Sequence, residues 1–98
     1  MDYMINFRLP EELNEDMIRT IPSHRAKVNQ LIDAGIIKSY NLAADRSQLW
    51  LVIEAINETD LEAIINSLPL SEYLSDYDVQ PLMFSLSANT ELPHISLN

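Results

Sequence analysis

Cysteine is absent from this chain of 98 residues, glycine occurs once, and positive charge is scarce. Without thiols there are no disulfides, no thiolate nucleophile and no cysteine-bound zinc. Two histidines 70 positions apart, His24 and His94, do not form a metal motif by spacing. A single glycine leaves nothing from which to build a glycine-rich phosphate loop. Six Lys and Arg against 15 Asp and Glu give a formal net charge of −9, and the excess is spread along the chain. That balance argues against nucleic acid and against an anionic membrane surface as partners. No stretch approaches the ~18 apolar residues of a membrane span. The N-terminus lacks a basic segment leading into a long apolar run, so no export signal is read and a cytoplasmic location is expected.

What is present fits one small domain. Hydrophobic residues make up 47% of the chain, enough for a core, though at this size association would add stability. The organising stretch is Ile21-Pro22-Ser23-His24 through Ala34-Gly35. Pro22 suits a first helical turn with Thr20 as the cap, or it bends or breaks a longer helix running from about residue 11 to 34. Gly35 stands where a helix closes in a left-handed turn. Leu13, Met17, Ile21, Val28 and Leu31 recur every three or four residues and predict one buried stripe. His24 lies inside it, while Arg25, Lys27, Asn29 and Asp33 lie mostly outside. His24 is then either a core-edge histidine with one backbone partner, or a polar group aimed into a pocket between helix and sheet. In the second case an imidazole that titrates near neutrality moves protons.

The alternation of Tyr3, Ile5, Phe7 and Leu9 predicts a first strand over 2–9, ended by Pro10. Residues 36–44 and 49–55 predict a hairpin about the polar turn Asp45-Arg46-Ser47-Gln48, with the third strand central. A second helix begins at Asn57-Glu58-Thr59-Asp60, buries Leu61, Ile64, Ile65 and Leu68, and stops at Pro69. A fourth strand over 76–86 contains Pro81, which belongs at an edge or bulge because it donates no hydrogen bond. The order β-α-β-β-α-β is the ferredoxin-like split pattern, an α+β sandwich with both helices on one face of a four-stranded antiparallel sheet. The other face needs a cover. The expected domain spans 1–86, and the apolar tail 87–98, with Leu92, Ile95 and Leu97, is expected to lie on a neighbouring subunit, on its own domain, or to fray.

The run Ser67-Leu68-Pro69-Leu70-Ser71-Glu72-Tyr73-Leu74, followed by Tyr77-Asp78-Val79, resembles the LPL-x-x-Y-M … (I/V)-x-V signature of muconolactone delta-isomerases. Length, element order and the helix–Gly–strand step at Ala34-Gly35-Ile36 are similar as well, over roughly residues 2–84. The resemblance implies a dimeric α+β barrel, in which two sheets meet and cover each other, and assembly into a homodimer or a larger ring. It implies a small-molecule ligand and no cofactor. The reaction it implies moves a double bond in an unsaturated five-membered lactone bearing a carboxylate. Such chemistry needs a base, an acid, donors for the enolate oxygen and a cation for the carboxylate. By the same resemblance a glutamate position on the first helix falls at His24, and an arginine position on the second strand falls near Leu42. The family's R-H-P run after its last strand has no counterpart around Phe84-Ser85-Leu86. These departures point away from muconolactone itself, with Arg46, Arg25 or Arg8 left to meet an anionic substrate.

On this reading His24 is the candidate base, and Tyr40 on the second strand either packs in the sheet or reaches His24 and donates to an oxyanion. Arg25, Arg46, Trp50 and Tyr73 are candidate substrate-binding residues. Trp50 is otherwise core or interface packing, Tyr73 packing within the family motif. Glu54 needs a partner if buried, and Arg8 is the expected one. His94 is a candidate for a role across a subunit boundary. Three functions remain open: a cofactor-free isomerase-like enzyme, a non-catalytic ligand-binding or structural oligomer, and a cofactor-independent monooxygenase-like barrel. The enzyme readings require a cavity at His24 with a second polar group opposite.

Overall fold

The computed structural model describes residues 1–86. The tail and His94 lie outside them. The elements run β1 (Asp2–Arg8), α1 (Glu15–Asp33), β2 (Ile37–Leu42), β3 (Gln48–Glu54), α2 (Glu58–Asn66), a 3-10 turn at Ser71–Tyr73, and β4 (Tyr77–Leu82). The four strands form one antiparallel sheet in the order β2-β3-β1-β4, the ferredoxin-like arrangement.

Period-two alternation sorts the sheet into two faces. Tyr3, Ile5 and Phe7 of β1 and Leu49, Leu51 and Ile53 of β3 join Met17, Val28 and Leu31 of α1 and Leu61 and Ile65 of α2 in one core. Met4, Asn6, Trp50 and Val52 point the other way, with Gln80 and Leu82 of β4 beside them. Both helices therefore cover one face. Pro81 sits on the edge strand β4, opposite Tyr3, where its missing donor is tolerated.

β2 breaks the alternation. Ile37 pairs with Ile53, but Ser39 pairs with Val52 and Tyr40 with Leu51, so Lys38 and Ser39 together oppose one residue of β3. This β-bulge absorbs the odd residue and brings Tyr40, three positions after Ile37, onto the helix side.

Helix α1 starts later than its pattern predicts. Asn14 is its cap, its side chain accepting from the Met17 N–H at 2.8 Å, and Glu15 and Asp16 occupy the positive end of the dipole. Leu13 therefore lies before the helix and is 43% exposed, not part of the buried stripe. Pro22 sits inside one continuous helix, and the Thr20 hydroxyl bonds back to the Asp16 carbonyl in place of capping. Gly35, at φ 78°, turns the chain into β2, a conformation that glycine adopts without strain. Asn57 caps α2 by accepting from the Asp60 N–H.

The ion pairs differ from expectation. Arg8 is held by Asp76 at 2.9 Å and Asp78 at 2.8 Å, on the loop before β4 and on β4 itself, and does not reach Glu54. Glu54 is exposed, and Lys38 of the bulge bridges it (3.4 Å) and Asp2 (3.1 Å). Arg19 pairs with Glu15 and Asp16 on its own helix. Half of the six cations are thus tied to carboxylates within the fold.

Candidate functional site

His24 is the one buried polar or charged residue among those described, 4% exposed. It faces inward because it occupies the α1 stripe between Ile21 and Val28, over β2 and the loop that follows α2. Its Nε2 lies 3.0 Å from the Tyr40 hydroxyl, and its Nδ1 accepts from the Leu70 backbone N–H at 3.3 Å. One side chain thus joins α1, β2 and the Leu68–Leu70 turn. Burial pushes the His24 pKa below its ordinary value of 6.5, so the ring is neutral at neutral pH. Burial likewise pushes the Tyr40 phenol up, opposed by the positive charge of Arg25. Tyr40 is protonated, half-buried, and within the field of a guanidinium.

Arg25 follows His24 on α1, is exposed, and makes no ion pair among the described residues. Beside Tyr40 it supplies a cation at the seam between α1 and edge strand β2. The other candidates lie elsewhere. Arg46 is exposed in the β2–β3 turn at φ 63°, with its backbone N–H on the Ala43 carbonyl. Trp50 is half-buried on the opposite face of the sheet, between Asn6 of β1 and Asn41 of β2. Tyr73 turns toward the start of α1, where Glu72 first, and then Asp16, raises its phenol pKa. The structure therefore gathers His24, Tyr40 and Arg25, and separates them from Trp50, Arg46 and Tyr73.

Two surface cavities are present away from that cluster. One of about 330 Å³ lies between Met1, Gly35, Glu54 and Asp60. The other, about 410 Å³, lies between α2 and β4, over Leu61, Ile65, Tyr77 and Val79. Neither is lined by His24 or Tyr40, so the cavity that the enzyme readings require at His24 is not one of them, and half-buried Tyr40 is the side of the pair that reaches the surface. Among the described residues no group of three histidine or carboxylate side chains is placed to hold a metal, and no helix is long and apolar enough to cross a membrane.

The Leu70 N–H is the member of the cluster that residue patterns do not disclose, because a backbone donor has no letter of its own. The bulge leaves no signal either, because Ile36, Tyr40 and Leu42 already stand four and two apart, and only the pairing of Ile37 with Ile53 and of Tyr40 with Leu51 reveals it.

The model of the muconolactone delta-isomerase family matches residues 1–87. The chain belongs to the muconolactone delta-isomerase family. No curated protein sequence matches it. Among solved structures it is similar to 5-chloro-2-hydroxyhydroquinone dehydrochlorinase from Burkholderia phenoliruptrix AC1100, determined with 2,5-dihydroxybenzoquinone. The TM-score is 0.66 at 16% identity, over 87% of this chain and 96% of that one. At that identity the likeness speaks to the fold, an α+β barrel protein.

Proposed function

We propose that this family member is a cofactor-free enzyme that moves a proton on a small unsaturated lactone or related cyclic carbonyl compound. The observation that carries the reading is the 3.0 Å contact between buried His24 and half-buried Tyr40. Both His24 nitrogens are engaged, so the proton leaves to solvent water at the α1–β2 seam. Its removal from beside a carbonyl leaves charge on the carbonyl oxygen, and a hydroxyl fixed in a half-buried setting stabilises that charge better than water does. Tyr40 is the group that meets the ligand, at the α1–β2 seam, with His24 behind it. Arg25 is the cation for an anionic ligand, close enough to act on the Tyr40 phenol. The solved dehydrochlorinase bound to a dihydroxybenzoquinone supports a flat, oxygenated ring as the ligand class. A homodimer pairing its sheets through the face that holds Trp50 and Val52 is part of the same proposal.

A second reading, a ligand-binding or structural oligomer without chemistry, is favoured by one observation: both ring nitrogens of His24 are already engaged inside the protein. Exchange in deuterium oxide separates the two. Proton NMR of muconolactone, related butenolides and hydroxyquinones with the enzyme should show label entering beside the carbonyl. Tyr40→Phe should slow it by about 10²-fold, the usual cost of losing one oxyanion donor. Wild-type protein that binds these compounds but exchanges no hydrogen supports a ligand-binding oligomer, and absence of both binding and exchange sinks the enzyme and leaves the structural oligomer.

A further inference from the structure

The pair is only half of what His24 does. Its other nitrogen meets the backbone of the Leu68-Pro69-Leu70 turn, 46 positions away. A backbone N–H only donates, so Nδ1 must present a lone pair to it. A neutral imidazole carries one hydrogen, and burial keeps this ring neutral. That hydrogen is therefore on Nε2, 3.0 Å from the Tyr40 oxygen. The phenolic oxygen accepts it, and the hydroxyl hydrogen of Tyr40 is not used by His24.

Resting on the proposed role of Tyr40, we infer that the Leu68–Leu70 turn is the positioning element of the site: the Leu70 N–H fixes His24 as its Nε2–H tautomer, and this leaves the Tyr40 hydroxyl hydrogen for a ligand oxygen. His24 is then a positioning residue and not the base that its place in the stripe predicts. For Nδ1 to take a proton, two donors would have to face each other across 3.3 Å. Without the Leu70 contact, the ring can equally hold its hydrogen on Nδ1 and accept from Tyr40, which turns the hydroxyl inward and removes the donor from the ligand. The turn thus sets the direction of the hydrogen-bond chain, running from Leu70 through His24 and Tyr40 to the ligand, with every donor pointing outward.

The tautomer is directly observable in the full-length protein. Nitrogen-15 histidine labelling with long-range proton–nitrogen NMR should show His24 at neutral pH with a pyrrole-type Nε2 and a pyridine-type Nδ1. Replacing the Pro69–Leu70 amide with an ester, by chemical synthesis of the 98-residue chain, deletes this one hydrogen and keeps every side chain. The His24 signals should then move toward the Nδ1–H form. A wild-type His24 with its hydrogen on Nδ1 overturns the inference, as does an ester variant that folds and keeps the Nε2–H form unchanged. These spectra need no substrate, so this inference can fail while deuterium exchange succeeds, and the reverse.

Discussion

At the scale of single residues, the His24 cluster couples acid–base state to stability. Its folded pKa lies below the ordinary 6.5, so the unfolded chain binds the proton more readily than the folded one. The stabilising contribution is fully present above pH 6.5 and is lost as pH falls from there through the lowered folded value. Urea midpoints measured across that interval should fall with acidification in wild type and stay level in His24→Gln. Asp45, held down by Ser47, and Asp78, held down by Arg8, lose their contributions as pH falls through their ordinary 3.8 toward their lowered folded values. His24→Ala leaves the part-buried Leu70 N–H without its partner and should cost about 1 kcal/mol from that loss alone, read as a shift in urea midpoint at pH 8. The inward aim of His24 is legible in the sequence because helical periodicity is regular. Of its two partners, Tyr40 is legible as one of two alternatives, and the Leu70 N–H is not, since a backbone group leaves no residue pattern.

Elements were largely readable where one force dominates. The alternation of Tyr3, Ile5 and Phe7 specifies β1 within a residue, and of the two caps offered for α2, Asn57 and Thr59, the structure uses Asn57. The start of α1 was not so readable, because Pro22 with Thr20 and the acids after Pro10 offered two competing signals, and Asn14 decided between them through its bond to Met17. Asn14→Ala should lower stability by about 1 kcal/mol, measured by denaturant unfolding. The bulge in β2 makes a sharper case. Deleting Ser39 leaves one residue opposite Val52 and keeps Tyr40 opposite Leu51. The variant should fold, keep the His24–Tyr40 contact and retain the Nε2–H tautomer by NMR. A variant with Tyr40 reporting a solvent-exposed phenol would show that the bulge does more than absorb a residue.

For the molecule as a whole, the uncovered side of the sheet is the face through which the proposed homodimer pairs. Met4, Trp50 and Leu82 share it with buried Val52, and the Asn6 side-chain oxygen there is buried without a hydrogen-bond partner among the described residues. Trp50→Glu should shift the sedimentation coefficient from dimer toward monomer while leaving far-UV circular dichroism intact; a wild type that sediments as a monomer at high micromolar concentration would refute the pairing. The ion pairs have one more consequence, in kinetics. Arg8, Arg19 and Lys38 are tied to carboxylates, so the exterior of this −9 chain presents a largely negative field, relieved locally at Arg25, Lys27 and Arg46. An anionic ligand is repelled at long range and attracted only at the last step. Shrinking the screening length from about 30 Å at 0.01 M salt to about 8 Å at 0.15 M removes the repulsion before it weakens the contact. Association with such ligands should therefore quicken as salt is added, the reverse of the usual sign for steered encounters.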